Sequence, residues 1–238
     1  MENIAKNLKN VLEKIEESKK FSSNAEGQVR LVAVSKLKSI EHIIAAYQVG
    51  QRHFGENYVQ ELEEKSQSEK LQNSCPEIKW HFIGHLQSNK AKKVICLPNI
   101  FVIETVDSVK LADILNNASK TSNKIMNIMI QINTSNEPQK SGIIPSELEQ
   151  VYAHIKNSCK NLNILGLMTI GSYEQSTNVD DLNTDFKNLI ECKNKLVEKF
   201  AINPNSIELS MGMSHDFDQA VKMGSTNVRV GSLIFGSR

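Results

Sequence analysis

The chain has 238 residues, 39% hydrophobic and 23% charged, which is ordinary globular usage and enough to bury a large core. A formal net charge of +1 and 5% aromatic residues argue against nucleic acid or an acidic membrane surface as partner. No apolar run approaches the roughly 18 residues of a membrane span. The four cysteines show neither C-x-x-C nor metal-ligand spacing, so free thiols and no metal centre are expected in a soluble, cytoplasmic protein.

The first segment, MENIAKNLKNVLEKIEESKK, lacks the apolar core and cleavage site of a signal peptide. Ile4, Leu8, Val11 and Ile15 recur at helical spacing and predict an amphipathic helix over about 3–20. LVAVSK at 31–36 reads as the first strand, and SIEHIIAAYQVG as a helix stopping at Gly50. RHFGEN (52–57), KWHFIG (79–84) and NIFVIET (99–105) are the next strands, with Lys90, Lys92 and Lys93 on a solvated helical face. DSVKLADILNNASK predicts a helix with Asp107 as N-cap, and IMNIMIQINT (125–134) a fifth strand. PSELEQVYAHIKN opens a helix near Pro145, and LNILGLMTI (162–170) follows as a strand. SIELSM (206–211), a helix from Ser214 to Gly224, and TNVRVG (226–231) complete the pattern.

Eight strands alternating with helices argue for a parallel sheet, and a ring of eight such units is a (β/α)8 barrel. The expected class is α/β, a single-domain TIM barrel over 1–238. An open doubly wound sheet would normally carry a Gly-rich turn after its first strand, and LVAVSKLKS has no glycine.

A barrel carries its chemistry where strands end. Lys36 ends the first strand, which neighbours the eighth in a closed ring; most such lysines merely snorkel to water. The loops after strands seven and eight are the usual phosphate site of this fold. After strand seven, SMGMSHDF offers Gly212 for close approach and Ser214, as an anion ligand or merely a cap of its own helix. After strand eight, Gly231 and Ser232 offer N–H groups and a second hydroxyl. Arg229 shares a strand face with Gly231, opposite Val228 and Val230, so it should enter the barrel mouth and meet an anion, a ring acceptor, or Glu208 in a salt bridge. A neutral lysine amine attacks carbonyls, although free lysine titrates near 10.4. Pyridoxal 5′-phosphate (PLP) combines aldehyde, phosphate and ring nitrogen in one ligand. A sugar-phosphate aldolase would use the same amine and anion site. His81 and His85, four apart, lack a third metal ligand nearby and read as structural or pocket-lining.

WHFIGHLQSNKAKKV from Trp80, LVAVSK, FGENYVQE, NTSNEPQKSG, GLMTI, LSMGMSHDF and GSTNVRVGSLIFG span nearly the whole chain. Together they resemble the pyridoxal phosphate homeostasis proteins. Ser232 stands where that family more often carries threonine, and the hydroxyl is kept. The resemblance implies a barrel like the N-terminal barrel of bacterial alanine racemase, the type III fold of PLP proteins, with PLP held as a Schiff base on Lys36. Carried over residue by residue, Ser214, Arg229, Gly231 and Ser232 would hold the phosphate, and Asn57 and Met168 would line the ring. Whether Arg229 meets phosphate or ring nitrogen stays open. The family implies a carrier or regulator of vitamin B6 and of amino- and keto-acid balance, with no established reaction and with PLP-dependent apo-enzymes as recipients. A monomer is the default. Only SLIFGSR follows Gly231, so no racemase-type lid domain is expected, and the site should stand open to water. The alternative is a racemase-like enzyme, with Tyr58, His81 or Tyr173 as proton donor.

Overall fold

The structure, a computed structural model, describes residues 2–22, 27–177 and 182–236. Eight strands form a closed, all-parallel barrel in chain order: β1 Arg30–Val34, β2 His53–Glu56, β3 Lys79–Phe82, β4 Ile100–Val106, β5 Met126–Gln131, β6 Leu162–Met168, β7 Glu208–Ser210 and β8 Asn227–Val230. Every predicted strand is present, each ending within a few residues of its expected bound. The ring closes where β1 meets β8, Val32 opposite Arg229 and Ala33 opposite Val230.

The helices are α1 Glu2–Lys19, α2 Ile40–Gln48, α3 Val59–Ser66, α4 Glu69–Ser74, α5 Ala91–Ile95, α6 Val109–Thr121, α7 Leu148–Ser158, α8 Tyr173–Thr177, α9 Thr184–Phe200, α10 Phe217–Lys222 and α11 Ser232–Phe235. Among the described residues, no helix is long and apolar enough to cross a membrane. The four residues that set the period of α1 (Ile4, Leu8, Val11 and Ile15) are all buried. Each contributes roughly 1.5–3 kcal/mol of apolar burial, which fixes a helix that would be marginal in isolation. Asn7 Nδ2 donates to the Ile234 carbonyl at 3.1 Å and Lys14 pairs with Asp218 at 3.3 Å, so α1 packs against α11 and α10, the helices on either side of β8 in the chain.

Two helix starts differ from expectation. Ser108, not Asp107, caps α6: its Oγ accepts the Leu111 N–H at 3.2 Å, while Asp107 is occupied by His85 at 3.2 Å. The helix after β7 starts at Phe217, with Asp216 at its N-cap, rather than at Ser214. The main apolar core lies between strands and helices, with Trp80, Phe54 and Phe82 fully buried. Inside the ring lies a smaller cluster, Val102, Met129 and Met168. Glu104 is inside too, since it bonds to residues of β3, β7 and β8 from its place on β4.

Candidate functional site

A cavity of about 360 Å³ opens where the strands end, a size that suits a small ligand. All seven residues singled out in the sequence line it: Lys36, Asn57, Met168, Ser214, Arg229, Gly231 and Ser232. Val34, Ile83, Ile170 and Met213 supply apolar walls. A larger hollow of about 1130 Å³ lies at the opposite face, among the strand starts Arg30, His53 and Lys79. The chemistry of this fold belongs to the face where strands end, so the smaller cavity is the candidate site.

Lys36 lies two residues beyond β1, half-buried on a tight turn. Leu37 has φ +60, a left-handed conformation that costs a leucine energy unless the surroundings hold it. They do. The Leu37 N–H donates to Glu61 Oε1 at 2.6 Å and the Lys38 N–H to the Ser35 carbonyl at 3.0 Å. Beneath the turn, the buried Lys65 ammonium donates to the Ser35 carbonyl, Glu56 Oε1 and Glu61 Oε1, each at 2.7 Å. Ser35 Oγ donates to Glu56 Oε1 at 2.6 Å. One cation thus ties two carboxylates to the backbone on either side of Lys36.

Burial pushes the Glu56 carboxyl up to about 7, against the charge and hydrogen bond of Lys65. A carboxyl that binds its proton more tightly when folded stabilises the fold at low pH and loses that contribution as pH rises. The loss falls between about 4.5 and 7. Glu56→Gln is therefore expected to flatten the fall in urea midpoint between pH 5 and pH 8. An unchanged slope would show that Glu56 stays ionised across that range.

The opposite wall is built from two loops. Gly212, at φ +98, makes the turn after β7, and a Cβ there would lie 2.5 Å from that of Ala220. The loop then swings Ser214 toward the end of β8, where its Oγ accepts the Gly231 N–H at 3.3 Å. Ser214 is therefore not a helix cap but a link between the two loops. The first intrahelical bonds of α11 come from Ile234 and Phe235 to the Gly231 carbonyl, so the Ser232 and Leu233 N–H groups precede them.

Arg229 is 4% exposed. Its Nη1 donates to Ser210 Oγ at 2.5 Å and its Nη2 to the Thr169 carbonyl at 2.7 Å. It does not pair with Glu208, which binds Arg30 in a two-pronged ion pair at the far end of the barrel. The guanidinium reaches across β7 to the residue that follows Met168 at the end of β6. Asn57 brings the other edge of the cavity. Its Oδ1 is buried without a hydrogen-bond partner among the described residues, which is costly unless something else occupies it.

Two of the three proposed proton donors, Tyr58 and His81, stand elsewhere. Tyr58 is exposed at the start of α3 and does not line the cavity. His81 is fully buried inside the ring, bonded to Glu104 and His53. The Tyr173 side chain lies outside the described residues. His85 pairs with Asp107, so His81 and His85 share no partner. What the sequence did not single out is the Lys65–Glu56–Glu61 cluster and the partners of Arg229. A charged residue on the same helical face as an apolar one, Lys65 one turn on from Leu62, was the available sign of the former.

Residues 6–238 match the family model described as alanine racemase, N-terminal domain. A mouse protein named pyridoxal phosphate homeostasis protein is 53% identical over 213 residues, 89% of this chain and 77% of its own. The solved structure of PipY from Synechococcus elongatus PCC7942, with PLP bound, is 30% identical and superposes with a TM-score of 0.78 over 98% of this chain and 100% of its own. Alanine racemase of Clostridium difficile 630 superposes with a TM-score of 0.72 at 13% identity, over 57% of its length, a likeness of fold alone.

Proposed function

The chain belongs to the alanine racemase N-terminal domain family and, within it, to the pyridoxal phosphate homeostasis proteins, and we propose that it binds PLP in the cavity at the strand ends and serves to hold the cofactor and pass it on. One observation carries this assignment: seven residues from widely separated points of the chain meet around one cavity, an amine on one wall and two hydroxyl-bearing turns on the other.

The residues present fit the group. The cavity has room for a small flat ligand, and Val34, Ile83 and Met168 offer it apolar faces. The orphaned Asn57 Oδ1 would gain an outside partner only from a ligand or water. When bound, PLP supplies an aldehyde that an amine captures with loss of water. The rest falls to the chain. The Lys65 cluster holds the turn that presents the Lys36 amine. Ser214, the Gly231 turn and the first N–H groups of α11 would grip the phosphate. Arg229, aimed at the end of β6, is assigned to the ring edge rather than to the phosphate. We assign no acid–base step, since neither Tyr58 nor His81 lines the cavity.

The same reading makes the protein a cytoplasmic monomer whose recipients are PLP-dependent apo-enzymes. Purified protein incubated with PLP and desalted is expected to stay yellow, near one cofactor per chain. Protein that leaves the column colourless sinks the assignment. Deuterium exchange at the α-carbon of amino acids, above a cofactor-free control, would favour the racemase alternative.

A further inference from the structure

On the assignment of Arg229 to the PLP ring, we infer that Glu104 is the counter-ion that balances the buried Arg229 charge and keeps it aimed at the cofactor, and that His81 and His53 hold Glu104 in place. Glu104 does not line the cavity, so its role is that of a positioning residue.

A guanidinium taken out of water is costly without an anion nearby. Two carboxylates act on Arg229, Glu104 and Asp216. Asp216 spends one oxygen on the Met213 N–H at 2.6 Å, and burial pushes its carboxyl up, toward the neutral form. Glu104 is the better anion. Burial pushes its carboxyl up as well, but the bond and charge of His81, the charge of Arg229 and the bond from Ser210 outweigh this and hold it down at about 2.

The bonding order is determined by donor and acceptor counting. Ser210 Oγ has one proton. It accepts from Arg229 Nη1 at 2.5 Å, so its own proton goes to Glu104 Oε2 at 2.5 Å. The other oxygen, Oε1, accepts from Asn227 Nδ2 at 3.1 Å and from His81 Nδ1 at 2.5 Å. At its other edge the His81 ring meets His53, with Nε2 and Nδ1 sharing one proton at 2.8 Å. Burial, followed by the charges of His81, Arg30 and Lys79, holds His53 down at about 3, so it remains neutral. One hydrogen-bonded line therefore meets at Glu104, from His53 through His81 on one side and from Arg229 through Ser210 on the other. It joins β2, β3, β4, β7 and β8 through the middle of the ring. With Nη2 pinned on the Thr169 carbonyl as well, the guanidinium is fixed at two points. Its remaining N–H groups are the ones available to a ligand.

The test is a double-mutant cycle in PLP-loaded protein: wild type, Glu104→Gln, Arg229→Met and both together, read by PLP titration, the absorption maximum and thermal unfolding. Glu104→Gln is expected to weaken PLP binding at least about tenfold and to move the absorption maximum. Adding the same change to Arg229→Met should alter the dissociation constant less than about threefold. The double variant should unfold at a higher temperature than Glu104→Gln, because no buried charge is left alone. Glu104→Asp, which keeps the charge, should retain more PLP than Glu104→Gln. The inference is overturned if Glu104→Gln binds like wild type, if its effect is the same without Arg229, or if the Asp and Gln variants lose PLP equally. Wild type that fails to hold PLP would reject the underlying assignment instead.

Discussion

Lys36→Ala is expected to remove the borohydride-fixed PLP adduct entirely, with peptide mass analysis finding no modified lysine above background. Two lysines line the cavity, Lys36 and Lys38, so the prediction is a choice between amines. The Lys38 amine donates to the Gly236 carbonyl at 3.1 Å, on the outer rim. Lys36 stands two residues beyond β1, on a turn fixed by Lys65 and Glu61. An amine attacks only when neutral and correctly placed. Lys38→Ala should therefore keep the adduct. The Lys36→Ala protein should still bind PLP reversibly through the loops at Ser214 and Gly231, but weakly enough to lose it on desalting. An adduct on Lys38 in wild-type protein would overturn the assignment of the amine.

Gly84→Ala has the second large effect. A Cβ at Gly84 would lie 1.9 Å from the Asn57 carbonyl oxygen, and that neighbour is backbone, not a side chain that can swing aside. The Gly84 carbonyl also accepts from Thr105 Oγ1 at 2.6 Å, which holds the loop from its other side. The clash must push Asn57 out of the cavity edge. Overpacking of this kind costs about 1–3 kcal/mol, occasionally more. Urea unfolding should report that loss, and PLP affinity should fall with it. Gly50→Ala is the control. Gly50 has φ +103, but a methyl there would meet nothing within 4 Å, so the change should cost about 1 kcal/mol and leave PLP binding intact. Unchanged PLP affinity in Gly84→Ala would show that Asn57 does not shape the site.

The barrel was legible because its strands are short, apolar and regularly spaced, and each run became a strand of one parallel ring. Lys36, Ser214, Gly231 and Ser232 followed from knowing which ends of which strands meet. Asn57 and Met168 did not follow from spacing and came only with the family resemblance. Ser214 lines the same cavity as Lys36, yet its alternative role as a helix cap is not realised, because its Oγ accepts the Gly231 N–H and the helix starts three residues later, at Phe217. The partner of Arg229 was unreadable for a similar reason. Glu208 sits at the far end of the three-residue β7, whereas Ser210 at the near end of that strand, Thr169 just beyond β6 and Glu104 on β4 converge toward the guanidinium. Contacts across the inside of a ring leave no periodic trace along the chain. α3 and α9 were also unread, although Asn183 caps α9 by accepting N–H groups from Asp185 and Phe186.

The seam between β1 and β8 has a consequence for assembly. Lys36 follows one of these strands and Gly231 the other, and they are neighbours in space but almost a whole chain apart in sequence. Joining them is the long-range step of folding, and its entropic cost is repaid only once the ring shuts. A small molecule gripped from both sides of that seam binds the shut ring alone, and so favours it by mass action. Such a ligand would then double as a clasp: the protein that holds it should resist opening at this seam more than the empty protein does.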